Sequence, residues 1–322
     1  MSQPQINIVV PLYNEEAVFE KLIQRLQKLM DSMSQSIEVI LIDDGSKDQT
    51  GMLMRLISLQ DPRFQSIFLS RNHGHQLALT AGLSVVNATE AVMVIDGDLQ
   101  DPPELLTDFY GKLKEGYEVI YAVRKNRKES LPKRMAYKLY YRIQRKLSNV
   151  EIPLDSGDFC MMSRRAVDVL NQMPEQSRFI RGMRAWIGFN QIGIEYDRSA
   201  REEGESKYSF KQLLSLAFNG IFNFSEFPIR FITRLGIGTV TISLLYLIHT
   251  LFKRFVLNEV PEGFTALLLT IVMFSGVQLI SLGLIGEYVL RIFFQIKGRP
   301  LFIIKEHIRQ QETVKEEVKT LP

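Results

Sequence analysis

This 322-residue chain holds a single cysteine, a single tryptophan and four histidines. A lone Cys160 excludes an intramolecular disulfide framework and fits a reducing compartment. His73, His75, His249 and His307 show none of the helical or loop spacings of a zinc site. An excess of one charge is missing too: 39 Lys and Arg against 36 Asp and Glu leave +3, too little to argue for nucleic acid as a partner. The opening MSQPQINIVVPLYNEE lacks a basic stretch and a small-residue cleavage site, so no secretory signal is expected. The turn after the first apolar run has no G-x-G-x-x-G, and no Walker A sequence occurs. Any phosphate bound here must be neutralised by something other than a glycine-rich backbone loop.

What the chain does have is an apolar last third. Leu235 to Phe252 runs 18 residues without a formal charge, and Phe264 to Gly286 adds 23 more. Each can cross a hydrocarbon core of roughly 30 Å at about 1.5 Å per residue. The short connection, residues 253–263, predicts an antiparallel hairpin. Arg230, Arg234, Arg291, Lys297, Arg299 and Lys305 flank it, against Lys253 and Arg254 in the connection, so both termini are expected in the cytoplasm. Upstream, Phe210, Leu213, Leu214, Ala217, Phe218, Ile221 and Phe222 repeat with helical period, predicting a helix lying at the membrane surface. Gly276, Gly283 and Gly286 fall near one helical face and are compatible with close packing and a homo-oligomer.

Over the first 200 residues or so, apolar runs of strand length alternate with helical patterns. Strands are predicted near 6–10, 39–42, 66–69, 91–95, 119–122 and 159–162. Helices are predicted near 16–33, 50–60, 75–86, 103–115 and 131–147. This order implies an α/β domain with a mostly parallel sheet covered on both faces, whose ligands meet the carboxyl ends of the strands. Acidic groups gather at those ends: Glu15 after the first, Asp43 and Asp44 after the second, Asp96, Asp98 and Asp101 after the fourth. Asp96 and Asp98 have the spacing to offer hard oxygen ligands to Mg²⁺ or Mn²⁺, with Gly97 allowing a sharp turn between them. Asp43 and Asp44 could equally cap the following helix.

The stretches VVPLYNEE, LIDDGSKDQT, SRNHGHQLALTAGL, IDGDLQDPPE, DSGDFCMMSRR and REEGESKYSF, followed by two apolar spans, resemble the bacterial polyprenyl-phosphate glycosyltransferases. These are glycosyltransferase family 2 proteins similar to dolichyl-phosphate mannose synthase. The resemblance runs from about Ile6 to Pro300. It implies a GT-A fold in residues 1–206, an amphipathic segment at 207–230, two transmembrane helices within 231–290 and a cytoplasmic tail at 291–322. It further implies metal-dependent, inverting transfer of a sugar from a nucleotide sugar, UDP-linked, to undecaprenyl phosphate at a bacterial inner membrane, among membrane lipids. Carried over by motif, Pro11, Tyr13, Glu15, Asp43, Asp44 and Asp96 would contact the nucleotide. Asp98, with Asp96, would hold the cation. Asp158 matches the active-site aspartate, Arg201 and Lys207 the basic groups of a closing loop, and Arg124, Lys133 and Lys138 the lipid-phosphate site. The third motif ends His73-Gly74-His75-Gln76 where NFGK is commoner, leaving a lysine contact there without a counterpart. Glucose is the first-choice donor sugar, with N-acetylglucosamine, galactose and a modified pentose behind it. A nonenzymatic membrane scaffold is the contrasting class. A processive synthase is disfavoured by the lack of a QxxRW motif and of further spans.

Overall fold

Strands β1 (Ile6–Leu12), β2 (Ile37–Asp43) and β3 (Phe64–Leu69) bury every residue along their length, as strands covered on both faces do. In the computed structural model, which describes residues 3–125, 156–197, 227–256, 263–309 and 312–314, β1 pairs in parallel with β2 and with β4 (Ala91–Val94), and β2 with β3. Helices α1 (Glu16–Ser32), α2 (Thr50–Gln60) and α3 (His75–Ser84) make the crossovers. In α1 the buried Val18, Phe19, Leu22, Ile23, Leu26, Leu29 and Met30 recur at helical spacing and form the stripe that meets the sheet. A 3₁₀ turn at Pro103–Leu105 leads into α4 (Leu106–Lys114).

The full strand order is β7-β5-β6-β4-β1-β2-β3-β8-β9. The added strands are β5 (Val119–Lys125), β6 (Ser156–Ser163), β7 (Gln191–Asp197), β8 (Ile304–Arg309) and β9 (Glu312–Val314). Helices α5 (Arg164–Gln172) and α6 (Ile180–Trp186) lie between β6 and β7. The sheet is mixed rather than mostly parallel, because β6 runs antiparallel to both β4 and β5 and β8 antiparallel to β3. That reversal positions the site. An antiparallel neighbour begins where β4 ends, and the register Val94↔Cys160, continued two residues, sets Asp158 opposite Asp96.

A second unit holds α7 (Phe227–Val256) and α8 (Phe264–Ile296), which touch each other. At 30 and 33 residues they are about 45 and 50 Å long, more than a hydrocarbon core requires. Their apolar side chains point outward, with Ile237 63% and Leu279 69% exposed, unlike core helices of a water-soluble domain. An added Cβ at Gly276, Gly283 or Gly286 would meet nothing within 4 Å among the described residues. Beyond α8 the chain returns to the first unit, where residues 304–309, within the tail expected at 291–322, form β8 against β3. Phe302 and Ile308 are buried, His307 Nε2 lies 2.8 Å from Gln65 Oε1, and Arg55 pairs with Glu306. The expected helix near 131–147 and residues 207–226 of the expected amphipathic segment lie outside the described residues, while 227–230 begin α7.

Candidate active site

The loops after β1 and β2 are stitched together by their own polar side chains. Asn14 Oδ1 accepts from Lys47 N at 2.8 Å, Thr50 Oγ1 accepts from Glu15 N at 2.9 Å, and Asp44 N donates to Leu12 O at 2.9 Å. Asn14 sits in the left-handed region at φ 52°, which Asn tolerates. Pro11 is buried at the end of β1, and Tyr13 and Glu15 stand half-buried on the rim. Asp43 Oδ1 accepts from Ser46 N at 2.9 Å. Both oxygens of Asp44 are taken by backbone amides, His73 N at 2.7 Å and Gly74 N at 2.9 Å. Burial raises the Asp44 carboxyl above its ordinary range against the pull of those two amides. Asp44 thus fixes the start of α3, and of this pair Asp43 is the carboxylate spared that task.

After β4 come Asp96, Gly97, Asp98, Leu99 and Asp101. Gly97 is needed for close approach: an added Cβ would fall 2.3 Å from Leu12 Cδ2. The sharp turn itself is taken two residues later by Leu99, at φ 60°. Asp98 Oδ1 accepts from Gln100 N at 3.2 Å. Asp96 Oδ1 is buried without a hydrogen-bond partner. Burial pushes the Asp96 carboxyl up to about 6; His75 opposes this, while Asp101, Asp158 and Asp98 add to it. Carboxylates that repel one another around an unsatisfied oxygen fit a divalent cation, with two protein ligands in Asp96 and Asp98 and the other positions left to substrate. Among the described residues no three His, Cys, Asp or Glu side chains form a complete cage.

Asp158 is the most heavily engaged carboxylate. Its side chain is 3% exposed, and it accepts from Arg181 Nε at 2.9 Å, Arg181 Nη2 at 3.1 Å and Gln76 Nε2 at 3.0 Å. His75 Nε2 lies 3.3 Å from Asp158 Oδ2 and 3.6 Å from Asp96 Oδ1. Burial alone would raise the Asp158 carboxyl, but the Arg181 charge, then hydrogen bonds from His75 and Arg181, hold it well below the carboxylate range. Burial alone would lower His75; the bond to Asp158 and the charges of Asp96 and Asp158 hold it at about 9. An imidazolium and a guanidinium therefore stand beside the acidic loop, each oriented by Asp158. Gln76 completes the frame by accepting from Ile180 N at 2.8 Å at the head of α6.

Arg124, near the end of β5, lies against Gly157, where an added Cβ would come within 3.2 Å of its Nη2. It stands in register with Tyr196 on β7, whose Oη donates to Asp101. Asp101 is thereby held as a buried carboxylate. Cys160 is a buried core residue. Lys133, Lys138, Arg201 and Lys207 lie outside the described residues. The sequence reading gave no role to Arg181, Gln76, Tyr196 or Asp101, and noted His75 only as a departure from a motif. One signal was available: Arg178, Arg181 and Arg184 recur every third residue, the first ahead of α6 and the other two within it, and Arg178 and Arg184 are buried.

The model for "Glycosyl transferase family 2" matches residues 7–170. The chain is 41% identical over 303 residues to the uncharacterized glycosyltransferase YkcC of Bacillus subtilis, covering 94% of each. The chain belongs to glycosyl transferase family 2. It is 37% identical to the uncharacterized glycosyltransferase sll0501 of Synechocystis, over 94% of this chain and 95% of that one. It is 34% identical to the SfII prophage-derived bactoprenol glucosyl transferase of Shigella flexneri, over 95% and 99%. As a family 2 glycosyltransferase it is an enzyme of GT-A-like α/β architecture with a mixed sheet.

Proposed function

We propose that this glycosyltransferase moves glucose from UDP-glucose to undecaprenyl phosphate, with inversion, at the cytoplasmic face of a bacterial inner membrane. The observation that carries this reading is near full-length likeness, long apolar helices included, to proteins named for bactoprenol glucosyl transfer. An acceptor phosphate oxygen attacks the anomeric carbon, the bond from that carbon to the diphosphate oxygen breaks, and UDP leaves with the electron pair. A phosphate monoester is largely dianionic near neutral pH, so no proton need be removed from the nucleophile. Asp158, already occupied by cationic donors, fits the task of aiming Arg181 and His75 at the two phosphate groups better than that of a base.

Tyr13, Glu15 and Asp43 line the strand ends where a nucleotide would rest, with Pro11 beneath them. Asp98 and Asp96 would hold Mg²⁺ or Mn²⁺, which when bound neutralises charge on the leaving diphosphate. Arg201 and Lys207 join that role by motif, as Arg124, Lys133 and Lys138 do for the lipid phosphate. Topology supports one face for the whole domain: the chain leaves the first unit before α7 and rejoins its sheet as β8 after α8. Two crossings return it to the side it left, and the flanking arginines and lysines favour the cytoplasm.

The test is to incubate purified protein with undecaprenyl phosphate, Mn²⁺ and a panel of UDP-glucose, UDP-N-acetylglucosamine, UDP-galactose and a UDP-pentose, and to read the lipid by mass spectrometry. A hexose adduct from UDP-glucose is expected. Product from another donor alone would replace glucose, and no consumption of any donor would favour a scaffold.

A further inference from the structure

Three carboxylates follow β4, and the proposed cation is assigned to Asp96 and Asp98. Asp101 is fully buried and accepts from Tyr196 Oη, while Arg124 stands in register with Tyr196 on the neighbouring strand and feels the Asp101 charge. The three groups form a row, arginine, phenol and carboxylate, reaching from β5 through β7 to the loop after β4. Tyr196 is buried, and the nearby Asp101 charge together with burial keeps its phenol protonated far above the ordinary range, so it donates to the carboxylate throughout the working pH.

Arg124 needs such support. Arg181 lies within electrostatic reach and repels it, and Arg124 is half-buried with its Nε unpaired among the described residues. Two guanidiniums brought together at the start of β6 diverge unless each is anchored from behind. Asp158 anchors Arg181, and Asp101 acts on Arg124 through Tyr196. The Arg124 Nε is buried, and the exposed side of the two guanidiniums presents convergent positive charge suited to a phosphate monoester.

We infer that Asp101, acting through Tyr196, is a positioning residue that holds Arg124 for the acceptor phosphate. The third carboxylate of the acidic loop thereby serves the acceptor, while the first two serve the donor. The inference rests on the proposed lipid-phosphate acceptor. It goes further in placing donor-side and acceptor-side groups on one six-residue loop, so that ordering Asp96 and Asp98 around a nucleotide also fixes Arg124.

The experiment uses the full chain in lipid nanodiscs, measuring UDP-glucose affinity with Mn²⁺ and steady-state KM for undecaprenyl phosphate. Asp101→Asn and Tyr196→Phe are expected to raise the acceptor KM about tenfold, the loss of a charge-assisted hydrogen bond, with donor affinity nearly unchanged. The double variant should be little worse than either single one. Donor affinity falling with acceptor KM unchanged would make Asp101 a donor-site group and overturn the inference. Tyr196→Phe removes one oxygen and carries the test if Asp101→Asn fails to fold. A second readout is independent of the substrate: the Arg124 Nε–H resonance, assigned by its loss in Arg124→Lys. It should exchange slowly in the wild type and quickly in Tyr196→Phe, and equal rates would overturn the positioning claim. If the wild type does not act on undecaprenyl phosphate, the functional proposal fails, while this resonance still decides whether the chain of three groups holds Arg124.

Discussion

Asp158 receives three hydrogen bonds from Arg181 and Gln76 and sits 3.3 Å from His75, so neutralising it releases two cations at once. Asp158→Asn is expected to lower turnover by roughly a hundredfold or more, on the scale of losing preorganised electrostatic stabilisation. Arg181→Ala should cost about as much, and the pair together little more than either, because all three variants break one unit. An Asp158→Asn loss that adds in full to that of Arg181→Ala would indicate a proton-transfer role instead. Asp98→Ala should abolish Mn²⁺-dependent UDP binding, read by calorimetry, while leaving the thermal transition in place.

His75 offers a test by pH. Its folded pKa of about 9 lies above the ordinary 6.5, so its contribution is fully present below 6.5 and is lost as pH rises through about 9. Metal-free wild-type protein should therefore lose more stability between about pH 7 and about pH 10 than His75→Gln, by an amount on the order of 2 kcal/mol. Parallel melting curves for the two proteins across that range would show that the imidazolium is not held as described. Asp96 and Asp98 could be picked out of the sequence because acidic residues directly after apolar runs are conspicuous, and Asp158 through the motif it shares with the family. Arg181, Gln76 and Tyr196 could not, since nothing local marks a side chain whose partner lies 23 to 104 residues away.

The elements themselves divide in the same way. β1 to β4 and the helices between them follow from apolar runs and helical spacing, because each is buried on a regular pattern that needs no knowledge of its neighbours. The direction of β6 does not follow, since hydrophobic pattern is blind to strand polarity, and that direction is what brings Asp158 to Asp96. β8 was hidden for a different reason. IKEHIR is half charged, and only its pairing to β3 makes a strand of it, with Glu306 reaching Arg55 and His307 reaching Gln65. Removing residues 300–322 should expose the β3 edge and strip cover from Gln65. A lowered melting temperature and aggregation of the truncated protein are expected. A truncated protein that melts with the full chain would reduce β8 to an ornament on the sheet.

At the scale of the whole molecule, the proposed topology places residues 257–262 across the membrane from the sheet. A cysteine at Asn258, in a chain whose own Cys160 is replaced by Ala, should react with an impermeant thiol reagent in intact spheroplasts. Labelling only after lysis would invert the orientation. The return of the chain from α8 to β3 also sets an order of assembly. During synthesis β3 emerges long before β8, with both apolar helices between them, so its edge stays unpaired until the hairpin has been made. In the proposed topology, insertion of the hairpin and completion of the sheet would therefore be coupled in time, and the catalytic domain would gain its last strands only after its membrane anchor had been made.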